Sequence, residues 1–81
     1  MTPRVVAFVA QGCHLCDSAL DVVVEVCEEH GLSFEIVDIT DDPTLEAGYR
    51  SAIPVVEIDG ERAFTYHVPP GALRDRIRAP R

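Results

Sequence analysis

Cys13 and Cys16, with His14 and Leu15 between them, are the residues of this 81-residue chain best suited to chemistry. Two thiols separated by two residues come close enough to form a disulfide once the segment winds into a helical turn. A sulfur at a helix N-terminus also faces unpaired N–H groups and a partial positive charge. That field favours the thiolate, which is the attacking species in disulfide exchange. His14 adjoins the first thiol, and a protonated imidazole there would favour the thiolate further. The other reading of His14 is a solvated ring pointing away from sulfur. Cys27, eleven residues beyond Cys16, reads as a small buried core residue rather than a third redox partner. Two structural cysteines, or half of a metal site, are the alternatives to redox chemistry. Metal binding is weakened because Cys27 is too far along to complete a tetrahedral set and no second Cys-x-x-Cys exists.

The elements that must position these thiols can be read on either side of them. Residues 4–10 form a nearly continuous apolar run rich in valine, as expected for a strand covered on both faces. Gln11-Gly12 breaks the run, and Gly12 lets the backbone turn sharply. From about Leu15 to Glu29, Leu15, Ala19, Leu20, Val23, Val24 and Cys27 recur at helical spacing and predict one apolar stripe. Asp17, Asp21, Glu25, Glu28 and Glu29 read as the solvated face. His30-Gly31 supplies the stop, with Gly31 as the left-handed cap residue.

A second strand is expected over residues 33–39, alternating around Phe34, Ile36 and Val37. Asp41-Asp42-Pro43 opens a short helix over residues 44–50, as a capping pair and not a metal site. That helix must end before Ile53-Pro54. Residues 55–58 and 61–66 read as two strands joined by the Asp59-Gly60 hairpin signal. After Val68-Pro69-Pro70-Gly71, residues 72–78 form a last helix with Leu73 and Ile77 facing inward. The order is β-α-β-α-β-β-α, with the first two strands parallel and the last two antiparallel.

Bulk properties narrow the function. The formal charge of −7 argues against nucleic acid or an anionic membrane surface as partner. All seven basic residues are arginine, so no lysine base or Schiff base exists. An odd cysteine count fits poorly with a secreted disulfide framework. No signal peptide is visible and no stretch is long enough to span a bilayer, so the cytoplasm is the expected location.

Taken together, Gly12-Cys13-His14-Leu15-Cys16-Asp17 and Ile53-Pro54-Val55-Val56-Glu57-Ile58-Asp59-Gly60 resemble the thioredoxin superfamily. Within it the chain is similar to the small bacterial glutaredoxin-like proteins, here with a Cys-His-Leu-Cys motif. The resemblance spans the whole chain, residues 1–81, as one domain. It implies an α/β fold of thioredoxin-like, glutaredoxin type: a four-stranded mixed sheet flanked by helices. It implies a thiol-disulfide oxidoreductase serving redox homeostasis and electron transport, with Cys13 as nucleophile and Cys16 as resolving thiol. Pro54 would be a cis-proline against the active-site disulfide, and the Ile53 main chain would pair with an extended substrate. His14 and Leu15 are further expected substrate contacts, and Tyr66 and His67 lie where family members bind the thiol ligand, with a purely structural role as their other reading.

The departures concern glutathione. Glutaredoxins usually carry Pro-Tyr between the cysteines, a lysine where this chain has Ala10, and Gly-Gly with a polar pair where it has Phe64-Thr65-Tyr66-His67-Val68. No cofactor is expected, and glutathione enters only as a candidate co-substrate. Expected partners are protein or low-molecular-weight disulfides and a thiol reductant or reductase, with the chain itself a monomer. An iron–sulfur or metal-binding protein, or a non-catalytic binding module on the same fold, is the alternative. Fold alone does not establish chemistry.

Overall fold

A computed structural model describes residues 3–79. The elements are β1 (Val5–Val9), α1 (His14–Glu29), β2 (Phe34–Asp38), α2 (Pro43–Tyr49), β3 (Val55–Ile58), β4 (Glu61–Thr65) and α3 (Pro70–Arg78). The sheet order is β2-β1-β3-β4. β1 runs parallel to β2 and antiparallel to β3, and β3 and β4 form the antiparallel hairpin. At the hairpin, Asp59 and Gly60 have φ of 54° and 83°, the paired left-handed geometry that suits the right-handed twist of the strands.

The apolar run of β1 is explained by its central place. Val5 and Ala7 pack with Val56 and Ile58 beneath Val23, Val26 and Cys27 of α1 and Leu73 and Ile77 of α3. Phe8 and Val55 belong to a second cluster, against which Leu45 and Tyr49 of α2 pack. Tyr49 stacks on Phe8 with ring centroids 4.1 Å apart, and its hydroxyl donates to Glu57 at 2.7 Å. α1 and α3 therefore cover one face of the sheet and α2 the other. This second cluster continues to Ala10, Cys16 and Ile53, so the redox candidates stand on packed core.

Several details differ from expectation. The buried stripe of α1 is Cys16, Ala19, Val23, Val26 and Cys27. Leu15 is 55% exposed and Val24 only half-buried, because the stripe is rotated toward Cys16 and Val26. Ile36 is 46% exposed on β2, an edge strand of the sheet. β4 stops at Thr65, since Tyr66 turns into the left-handed region at φ 66°. α3 begins two residues earlier than expected, because Pro70 at the first helical position has its φ already set and no N–H to satisfy. The other boundaries agree to within one residue: Asp42 caps α2 by accepting from the Leu45 N–H at 3.1 Å, and Gly31 after α1 has φ 65°.

Candidate functional site

The chain leaves β1, turns at Gly12 with φ 76°, and enters α1 with Cys13 as its N-cap. Cys13 is extended at φ −97°, and its Sγ accepts the Cys16 N–H at 3.1 Å. The first turn of the helix thus directs a backbone donor at this sulfur, which stabilises negative charge there. Cys13 and Cys16 form a disulfide with Cα atoms 5.2 Å apart, within the span such a bridge requires. Their settings differ: Cys13 is half-exposed, whereas Cys16 is 2% exposed among Phe8, Val9, Ile39 and Ile53. An incoming disulfide can reach the first sulfur and not the second.

Cys27 is fully buried in the other cluster, and burial pushes its thiol pKa up. His14 is the first residue of α1 and is exposed. The Ile53–Pro54 peptide bond is cis, as the resemblance implies, and both residues are buried. The Pro54 carbonyl accepts the Tyr66 N–H at 2.9 Å, and the Ala52 carbonyl shares that donor at 3.3 Å. The Tyr66 hydroxyl donates to the Ser51 carbonyl at 2.5 Å. Tyr66 thereby lies against the segment leading into Pro54, which fixes a side chain that is otherwise 53% exposed.

An apolar groove of about 90 Å³ has one end at Leu15, the residue before Cys16. α1 supplies Leu15, Ser18, Ala19 and Val22; Tyr66, His67, Val68 and Pro70 form the opposite wall. The structure thus brings Leu15, Tyr66 and His67 together in one feature. His14 does not line it, and neither do Ile53 and Pro54. Ser18, Val22, Val68 and Pro70 were not anticipated. The signal for the α1 wall was present: Leu15, Ser18 and Val22 recur at spacings of three and four beside the core stripe, which the wall meets at Ala19.

Among the described residues, no group of three or more His, Cys, Asp or Glu side chains is arranged to hold a metal ion. No helix of the described residues is long and apolar enough to cross a membrane.

The comparisons with known proteins agree with this geometry. No curated protein matches the chain. Among solved structures, the protein XcR50 from X. campestris superposes with a TM-score of 0.77 at 27% identity, over 94% of this chain and 99% of that one. Fasciola hepatica thioredoxin gives 0.62 at 27% identity, over 94% of this chain and 80% of its own. The glutaredoxin of Archaeoglobus fulgidus gives 0.64 over 95% and 88%, and at 17% identity it speaks for the fold alone. A disulfide-capable Cys-x-x-Cys pair on this fold supports a redox role. A family model described as "Glutaredoxin-like domain (DUF836)" matches residues 4–78, and with nearly every described residue inside that match, the chain belongs to the glutaredoxin-like family.

Proposed function

We propose that the protein is a thiol-disulfide oxidoreductase that works through the Cys13–Cys16 pair. The observation that carries this reading is the asymmetry of the two sulfurs at one helix start: Cys13 half-exposed and facing a helix N–H, Cys16 buried beneath it. In the reduced protein, the Cys13 thiolate attacks one sulfur of a substrate R–S–S–R′. This forms Cys13–S–S–R and releases R′–S⁻, which takes up a proton. Cys16 then loses its proton and attacks the Cys13 sulfur, closing the Cys13–Cys16 disulfide and releasing R–S⁻. Two electrons pass from the protein dithiol to the substrate. An external thiol reductant, or a dithiol reductase, reopens the disulfide by the same exchange and is itself oxidised.

The Ile53 main chain beside cis-Pro54 is proposed to pair with the extended substrate, and Leu15, Tyr66 and His67 to contact it from the groove. His14 stands at the exposed rim of the nucleophile. Glutathione is not required by this reading: where glutaredoxins usually place a lysine, Ala10 offers no cation and is 7% exposed.

Two variants test the assignment with any small disulfide substrate. Cys13→Ser is expected to abolish turnover, and Cys16→Ser to accumulate a mixed disulfide detectable by mass. Equal activity in both variants would overturn the roles. A reversible two-electron transition of the wild-type pair in graded thiol buffers, on the order of −270 to −120 mV, is expected alongside. A pair that no reductant opens would instead favour the binding-module reading.

A further inference from the structure

Exposed carboxylates stand on two separate elements near the start of α1, one of which also borders the apolar groove. On α1, Asp17, Asp21 and Glu25 follow one another at four-residue spacing and are all exposed. Helical neighbours lie three and four residues apart, so Asp21 borders Ser18, and Glu25 borders Val22, on the edge of the groove. Glu25 shares Arg74 with Glu29, at 3.8 and 2.8 Å. Asp17 and Asp21 are in no ion pair among the described residues.

On the far side of Cys13, the loop between β1 and α1 is tied to the loop between β2 and α2. The Gln11 N–H donates to Thr40 Oγ1 at 3.2 Å, and Thr40 N–H donates to Asp38 Oδ1 at 2.8 Å. Hydrogen bonding from the Thr40 side chain, and then from its main chain, holds the Asp38 carboxyl below its usual range. Asp41 and Asp42 follow on the same loop, both exposed. Arg50 is the cation whose charge reaches this loop, acting on Asp38, while its guanidinium donors go to α2. Arg50 gives two donors to the Glu46 carboxylate, Arg4 gives two to Asp59 at the opposite end of β1, and Arg62 lies over the Tyr49 ring.

We propose that this site selects disulfides carried on basic polypeptide segments. An apolar side chain next to the partner's cysteine seats between Leu15 and Val22 on one wall and Tyr66 and Val68 on the other. Lysine or arginine residues flanking that cysteine face Asp17 and Asp21 on one side and the Asp38–Asp42 loop on the other. The acidic rim does not bind by itself. It biases which disulfide approaches a site that the sulfurs and the groove define, through fields that act over about 10 Å at 0.1 M salt. Disulfides bearing carboxylates beside the sulfur are repelled by the same field. The inference rests on the oxidoreductase reading above.

The test uses the reduced wild-type chain and two synthetic peptides, each with a leucine beside one cysteine held as a mixed disulfide with 2-mercaptoethanol. One peptide has arginine flanks and the other glutamate flanks. Reduction yields the peptide thiol, 2-mercaptoethanol and the Cys13–Cys16 disulfide, which stopped alkylation and mass analysis can follow. Bis(2-hydroxyethyl) disulfide serves as the neutral reference. The basic peptide is expected to react about tenfold faster than the acidic one at low salt, with the ratio falling several-fold in 0.5 M NaCl. In an Asp17→Asn/Asp21→Asn variant the ratio is expected to fall likewise, each rate being normalised to the neutral disulfide so that any change in the thiol itself cancels. Changing the peptide's leucine to serine is expected to slow the basic peptide about threefold or more. Equal rates for the two peptides, with the neutral disulfide still reduced, would overturn this inference alone. Failure to reduce the neutral disulfide would overturn the oxidoreductase reading and this inference with it.

Discussion

The sulfurs of the three cysteines in this chain meet different surroundings. Cys13 caps a helix and meets solvent, Cys16 lies under it, and Cys27 is enclosed by aliphatic side chains. Burial disfavours the charged thiolate, so Cys27 is raised in pKa and also out of reach. In the reduced native protein, iodoacetamide is therefore expected to modify Cys13 rapidly and Cys27 only after denaturant is added, as mapped by peptide mass. Alkylation of Cys27 at the rate of Cys13 would contradict this burial. Most of this was legible in the sequence, since a Cys-x-x-Cys between an apolar run and a helix stripe locates its own helix terminus. Tyr66 was only half legible. Its place in the chain made it a candidate for substrate contact, but its left-handed φ of 66° and its bond to the Ser51 carbonyl depend on residues outside its own segment.

At the scale of elements, α1 must be fixed against both the sheet and α3 if its first turn is to aim at the sulfur. Its valines are poor helix formers, so packing of Val23 and Val26 supplies what propensity does not. Arg74 of α3 adds a forked contact to the Glu29 carboxylate, at 2.8 and 3.1 Å. That contact holds the Glu29 pKa below its usual value, with hydrogen bonding from Arg74 as the largest cause. A carboxyl depressed in the folded state contributes stability above its unfolded pKa of about 4.3 and loses it as pH falls through the folded value. Urea melts between pH 7 and pH 3 are expected to show this acid loss, with a shallower slope in Glu29→Gln. An unchanged slope would mean that the exposed pair contributes nothing measurable. The sequence placed the helix but misjudged its orientation. Leu15 and Val24 satisfy a three-four spacing as well as Cys16 and Val26 do, and only the position of the sheet decides between the two stripes.

Over the whole molecule, two clusters on opposite faces of one sheet provide the core, and the disulfide lies at an end of one of them. The bridge closes a loop with a sequence separation of only 3, so little chain entropy is at stake. In the chain-entropy account, opening it is expected to cost about 2 kcal/mol without unfolding the domain, as urea melts with and without reductant would measure. Loss of the folded state on reduction would contradict a core that is independent of the bridge. The cysteine count carries a different consequence for how the molecule is made. Three cysteines permit three pairings in an unfolded chain, of which the structure contains one. Once α1 is wound, Cys27 lies about 16 Å along its axis from Cys16, far beyond the reach of a disulfide. Winding of α1 therefore sets Cys27 apart from the other two thiols, and oxidation after folding closes within the chain only the bridge that the structure contains.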